Sequence, residues 1–93
     1  MIVSFADAET RRLWETRHSR RLPGDVQARA LMKLEQVESA AVLDDLRIPP
    51  SNHLEALTRD RKGQHSIRIN RQWRVCFTWT QAGAADVAIL DYH

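Results

Sequence analysis

His65-Ser-Ile-Arg-Ile-Asn-Arg-Gln-Trp-Arg-Val-Cys-Phe-Thr-Trp79 is the stretch whose reading decides the fold. His65, Ile67 and Ile69 alternate with Ser66, Arg68 and Asn70. After Asn70-Arg-Gln72 the pattern resumes, with Trp73, Val75, Phe77 and Trp79 set against Arg74, Cys76 and Thr78. Two runs of period two joined by a short polar turn predict an antiparallel hairpin. If Ile67, Ile69, Val75 and Phe77 face a core, Arg68 and Arg74 both point to the other face. Two arginines on neighbouring strands repel each other unless an anion or an acid lies between them.

The same period extends outward from the hairpin. Downstream, Gln81-Ala-Gly83 is a turn, and Val87 and Ile89 alternate with Ala88 and Leu90. Upstream, His53, Glu55 and Leu57 alternate with Leu54, Ala56 and Thr58, which predicts a strand with His53 and Glu55 on one face. Arg59-Asp-Arg-Lys-Gly63 is a charged turn. A meander of four strands results.

Before residue 53 the period is helical. Val26, Ala30, Leu34, Val37 and Ala41 recur at steps of three and four, a single buried stripe, whereas Gln27, Arg29, Lys33, Gln36 and Glu38 are expected to be wet. Asp25, after Pro23-Gly24, is the expected N-cap. An earlier helix over about residues 8–17 is capped by Asp7, with Glu9 in its first turn and Leu13 and Trp14 inward. Ile2-Val-Ser-Phe5 is an extended lead, Leu43-Asp-Asp-Leu46 a short turn, and Ile48-Pro-Pro50 ends any helix. The layout is α+β: two N-terminal helices packed on one face of a small twisted antiparallel sheet, with residues 1–93 as one domain.

With 93 residues the core is modest and is expected to lean on the three Trp. The single Cys76 excludes a disulfide framework and a cysteine-pair zinc site, and lies where a free Cys serves as a near-core residue. No window is long and apolar enough for a membrane span, and no basic region precedes an apolar one at the N-terminus. A cytoplasmic location without a membrane partner is expected. Charge is unevenly placed. Residues 47–93 hold 7 of the 14 Lys and Arg but 4 of the 12 Asp and Glu, and three of the four His. A basic half with several proton-transfer groups suits a polyanion that is to be cut, and RNA is the natural candidate.

Cleaving RNA through its own 2′-OH needs three things: a base for that proton, a stabiliser for the phosphorane, and an acid for the leaving oxygen. Histidine suits the first or third task. Arginine suits the second, since its charge is permanent and its fork spans two phosphate oxygens. The candidates are His53 and Glu55, between which the base stays undecided, Arg68 and Arg74, and the closing Asp91, Tyr92 and His93. Arg59, Arg61, Lys62 and Arg71, in the turns, are candidate RNA contacts. The four His lack ligand spacing for a metal, so neither metal nor other cofactor is expected.

Read in order, several segments together resemble the HigB-type toxins of the RelE/ParE superfamily. They are Ile2-Val-Ser-Phe, Leu46-Arg-Ile-Pro-Pro, Leu54-Glu-Ala-Leu, Asp60-Arg-Lys-Gly-Gln, Ser66-Ile-Arg-Ile-Asn, Gln72-Trp-Arg-Val-Cys-Phe and Asp91-Tyr-His. The resemblance covers nearly the whole chain. It implies a RelE-like fold and metal-independent cleavage of mRNA on the translating ribosome. It also implies a cognate helix-turn-helix antitoxin (HigA-like), through which alone operator DNA is bound, and a catalytic role for the terminal triplet. Two departures stand out. Many relatives have His where this chain has Glu55, and Lys-Gly before Asp-Arg where this chain has Thr58-Arg59. Two other readings of the scaffold remain open: a ParE-like poison of a topoisomerase, and a non-catalytic ribosome- or RNA-binding module.

Overall fold

Asp7 starts the first helix, α1 (Ala8–Thr16), by accepting the Thr10 amide at 2.6 Å, and Arg17 ends it in a left-handed conformation. In this computed structural model, which describes residues 1–92, α2 (Gly24–Ser39) follows. Two corrections apply to α2. Pro23 occupies the cap position with no side-chain hydrogen bond, and Asp25 lies inside the first turn, where its charge suits the helix dipole. The buried stripe keeps Val26, Ala30, Leu34 and Val37, but Ala40 replaces Ala41, because the helix stops at Ser39 and the helical step no longer applies.

Lys33 is the larger departure, for it is buried rather than wet. Its position, between Ala30 and Val37 on the stripe's flank, faces the loop that follows α2. There Nζ donates to Oδ1 of the fully buried Asn52 at 2.6 Å. The Asn52 amide donates in turn to Gln36 Oε1 and to the Leu46 carbonyl. Burial, then the neighbouring Arg29, push the Lys33 pKa below its ordinary value. This polar knot ties two 3-10 turns, Leu43–Arg47 and Pro50–Asn52, to α2.

Among the described residues the sheet has four antiparallel strands in chain order: β1 (Glu55–Ala56), β2 (His65–Arg68), β3 (Trp73–Thr80) and β4 (Gly83–Asp91). The helices pack on its apolar face, as expected of the alternation. Ile67, Val75, Phe77, Val87 and Ile89 from the sheet meet Leu13, Leu34 and Val37 from the helices, all essentially inaccessible. Each such side chain contributes roughly 1.5–3 kcal/mol by burial. The core is aliphatic around Phe77. Trp14, Trp73 and Trp79 are partly buried and pack against its margin, so the core leans on them from outside rather than enclosing them.

The N-terminal lead lies parallel to β4 at the far edge, bridging Ile2 to Ala84 and Phe5 to Val87. Gly83 makes that approach possible. Its φ is +133°, and a Cβ there would lie 2.1 Å from the Met1 carbonyl oxygen. We therefore expect Gly83→Ala to lower stability by about 2–3 kcal/mol, from backbone strain and weakened pairing with the lead. Urea unfolding would read this directly, and an unchanged midpoint would mean that the lead does not hold this position.

β1 is only two residues long, so the strand expected from His53 onward is a further correction. Pro50 opens a 3-10 turn, and His53 closes it in a left-handed conformation (φ 46°). His53 and Glu55 therefore do not share a strand face.

Candidate active site

The arginine face is built by register. Glu55, Ser66, Cys76 and Ala88 form one row across the four strands, and Arg68, Arg74 and Leu90 form the next. Arg68 and Arg74 share the face that the alternation gives them, and the register pairs them directly. Like charges in direct opposition destabilise a sheet, so something must compensate them.

Part of the compensation is internal. Arg74 Nε donates to Ser66 Oγ at 2.8 Å, and Nη2 donates to the His53 carbonyl at 2.6 Å. The Glu55 carboxylate stands 3.8 Å from Nε. Half exposed, Glu55 forms a loose pair with a largely covered guanidinium, and solvent screening keeps its contribution small. Arg74 is therefore aimed by three partners, two of which, Ser66 and the His53 carbonyl, the sequence did not single out. Ser66 carried a usable signal, because alternation puts it on the face of Arg68. The His53 carbonyl carried none. Arg68 forms no ion pair among the described residues.

Tyr92 lies over the same face. Its hydroxyl is 3.9 Å from the thiol of Cys76, which is buried beneath it. Burial pushes the Cys76 thiol up, and so it stays protonated, as suits a near-core cysteine. Burial, followed by the contact with Cys76, also raises Tyr92, against the opposing pull of Arg61 and Arg74. The phenol is therefore a proton-bearing donor near neutral pH.

His53, Glu55, Arg68, Arg71, Arg74 and Tyr92 border one open cleft of about 370 Å³. An adjoining cleft of about 310 Å³ shares Glu55 and Tyr92 and brings in Arg61. Most of the candidates thus converge. Asp91 does not point with them: it has the opposite parity to Tyr92, pairs with Trp73, and accepts from Gln72 Nε2 at 3.1 Å. Arg59 and Lys62 are exposed on the charged turn and line neither cleft. His93 lies outside the described residues. His65 pairs with Phe77, on the side of Ile67, away from the arginines. Among the described residues no three His, Cys, Asp or Glu side chains gather closely enough to hold a metal ion, and no helix is long and apolar enough to cross a membrane.

The chain that carries this site is similar to known proteins. Residues 3–93 match the family described as the RelE-like toxin of the type II toxin–antitoxin system HigB. Toxin HigB-1 of Vibrio cholerae is 36% identical over 94 aligned residues, spanning all of this chain and 98% of that protein. An uncharacterized protein of Haemophilus influenzae is 34% identical over 62 residues, spanning 67% of this chain and 60% of that protein. The fold, the family match and a full-length relative agree: this chain belongs to the HigB family of RelE-like toxins of type II toxin–antitoxin systems.

Proposed function

We propose that the protein is a metal-independent endoribonuclease that cuts mRNA on the translating ribosome and thereby arrests growth. The observation that carries this reading is the direct pairing of Arg68 with Arg74 in a cleft that also holds Glu55 and Tyr92. A scissile phosphate seated there supplies an anion to both arginines, which the loose Glu55 pair with Arg74 alone does not. Negative charge grows on its non-bridging oxygens as the 2′-OH attacks, and a preformed guanidinium pair stabilises that charge without reorganising. Ser66 and the His53 carbonyl engage Nε and Nη2 of Arg74, so Nη1 remains to face the phosphate.

The 2′-OH proton goes to Glu55 or His53, both on the cleft. The leaving 5′-oxygen takes a proton or a hydrogen bond from Tyr92, with His93, the next residue in sequence, the candidate proton source, and Asp91 ties the end of β4 to Gln72. The products are a 2′,3′-cyclic phosphate and a free 5′-OH. As a type II toxin the protein has an antitoxin partner, and we assign that role to a HigA-like helix-turn-helix protein that carries the operator DNA contacts. Arg59, Arg61, Lys62 and Arg71 contact RNA outside the scissile phosphate, and the site of action is the cytoplasm.

Brief expression without a partner, followed by primer extension, tests the reading. Discrete cuts within translated reading frames are expected, with none in the same RNA when its start codon is removed. Equal digestion of naked and ribosome-bound RNA would remove ribosome dependence. Arrest with intact mRNA and broken DNA would favour a topoisomerase poison instead.

A further inference from the structure

A third cleft, of about 600 Å³, lies beside this site rather than over it. Arg29 and Lys33 line it from α2, Arg68 and Arg71 from the β2–β3 hairpin, and His53 from the preceding loop, while among the described residues no Asp or Glu lines it. Its volume falls in the range of small-molecule sites and accommodates a nucleotide.

Lys33 is the informative member. It is 6% exposed, its Nζ contacts a neutral amide oxygen, and it forms no ion pair among the described residues. A buried ammonium next to Arg29, without a counter-charge, is costly to keep ionised, and its pKa is lowered accordingly. An anion in the cleft offsets that cost. Met32, half exposed on α2, adds apolar surface to the cleft, and a thioether packs well against an aromatic face. Cations beside an apolar thioether suit a phosphate with its base.

The cleft also adjoins the candidate active site, sharing His53, Arg68, Asn70 and Arg71 with it. That adjacency favours the RNA strand itself over a separate acidic protein segment. We propose that this cleft is a second nucleotide subsite, in which Arg29 and Lys33 of α2 hold the phosphodiester next along the strand from the one between Arg68 and Arg74. The assignment deepens the ribonuclease reading and rests on it.

The test is direct binding of 2′-O-methyl oligonucleotides, which lack the attacking hydroxyl, to the full chain at low salt. A dinucleotide has one phosphate and fills only the first subsite, whereas a tetranucleotide extends into the second. Arg29→Gln should weaken the tetranucleotide several-fold, and Arg29→Gln with Lys33→Met about tenfold or more. The slope of log affinity against log salt should become shallower by about 0.7 for each phosphate that is no longer neutralised. Dinucleotide binding should not change. Arg29 is exposed, so its single variant decides the matter even if the double variant fails to fold. No binding by the parent, unchanged tetranucleotide affinity, or equal weakening of both probes would overturn the subsite. Length-dependent weakening here, together with full mRNA cleavage by Arg74→Ala, would instead overturn the catalytic reading and leave a second RNA-binding surface standing.

Discussion

We expect Arg74→Ala to cut ribosome-bound mRNA on the order of a hundredfold more slowly than the parent, the usual consequence of losing one preorganised donor worth about 3 kcal/mol of barrier. Arg68→Ala should cost a similar factor, and both should abolish growth arrest. The two differ in stability. Arg74 holds Ser66 and the His53 carbonyl, so its removal leaves a buried hydroxyl and a loop carbonyl without their partner, at a cost of about 1–3 kcal/mol. Arg68 carries no such structural duty, so Arg68→Ala should melt close to the parent. Arg74→Lys separates charge from shape: it keeps the cation but not the fork, and should recover stability more than activity. Rates measured well below each variant's thermal midpoint check this. A folded Arg68, Arg74 double variant that still arrests growth would remove both residues from the site.

Deleting Tyr92 and His93 is the second large effect. Tyr92 is exposed at 39% and lies beyond Val87 and Ile89, which hold β4 in the core, so the thermal midpoint should move little. General acid–base catalysis contributes typically 10²–10⁴-fold to a rate, and cleavage should fall by about that factor. Tyr92→Phe and His93→Gln divide the effect between the phenol and the imidazole. Glu55→Gln and His53→Gln, measured beside them, identify the base through disappearance of the acidic limb of the pH–rate profile. If the truncated protein cleaves normally, the acid must be sought between His53 and Glu55 instead.

Strand parity makes much of this site readable from sequence. Ile67, Val75 and Phe77 are so apolar that only one register buries them, and that register forces Arg68 and Arg74 onto the opposite face. The stripe of α2 is readable for the same reason. At Lys33 residue type misleads where position does not. Its spacing from Ala30 and Val37 puts it on the buried flank, but Asn52, which satisfies it, is 19 residues away in sequence. At His53 the alternation itself misleads. It carries on through Leu54 and Glu55, while Pro50 and a left-handed residue break the strand before it starts. Yet the loop still delivers His53 to the same cleft, with its carbonyl on Arg74. That hydrogen bond joins the α2 knot to the arginine pair, and tertiary couplings of this kind leave no trace in local pattern.

One measurement bears most directly on the central claim. An mRNA is programmed on purified ribosomes in two forms, identical except that the second carries a 2′-deoxy nucleotide at the cut position. The account predicts that the parent protein cleaves the first, leaving a 2′,3′-cyclic phosphate on the upstream fragment, and leaves the second intact. Failure to cut the ribosome-bound RNA, or equal cutting of the 2′-deoxy form, would contradict it.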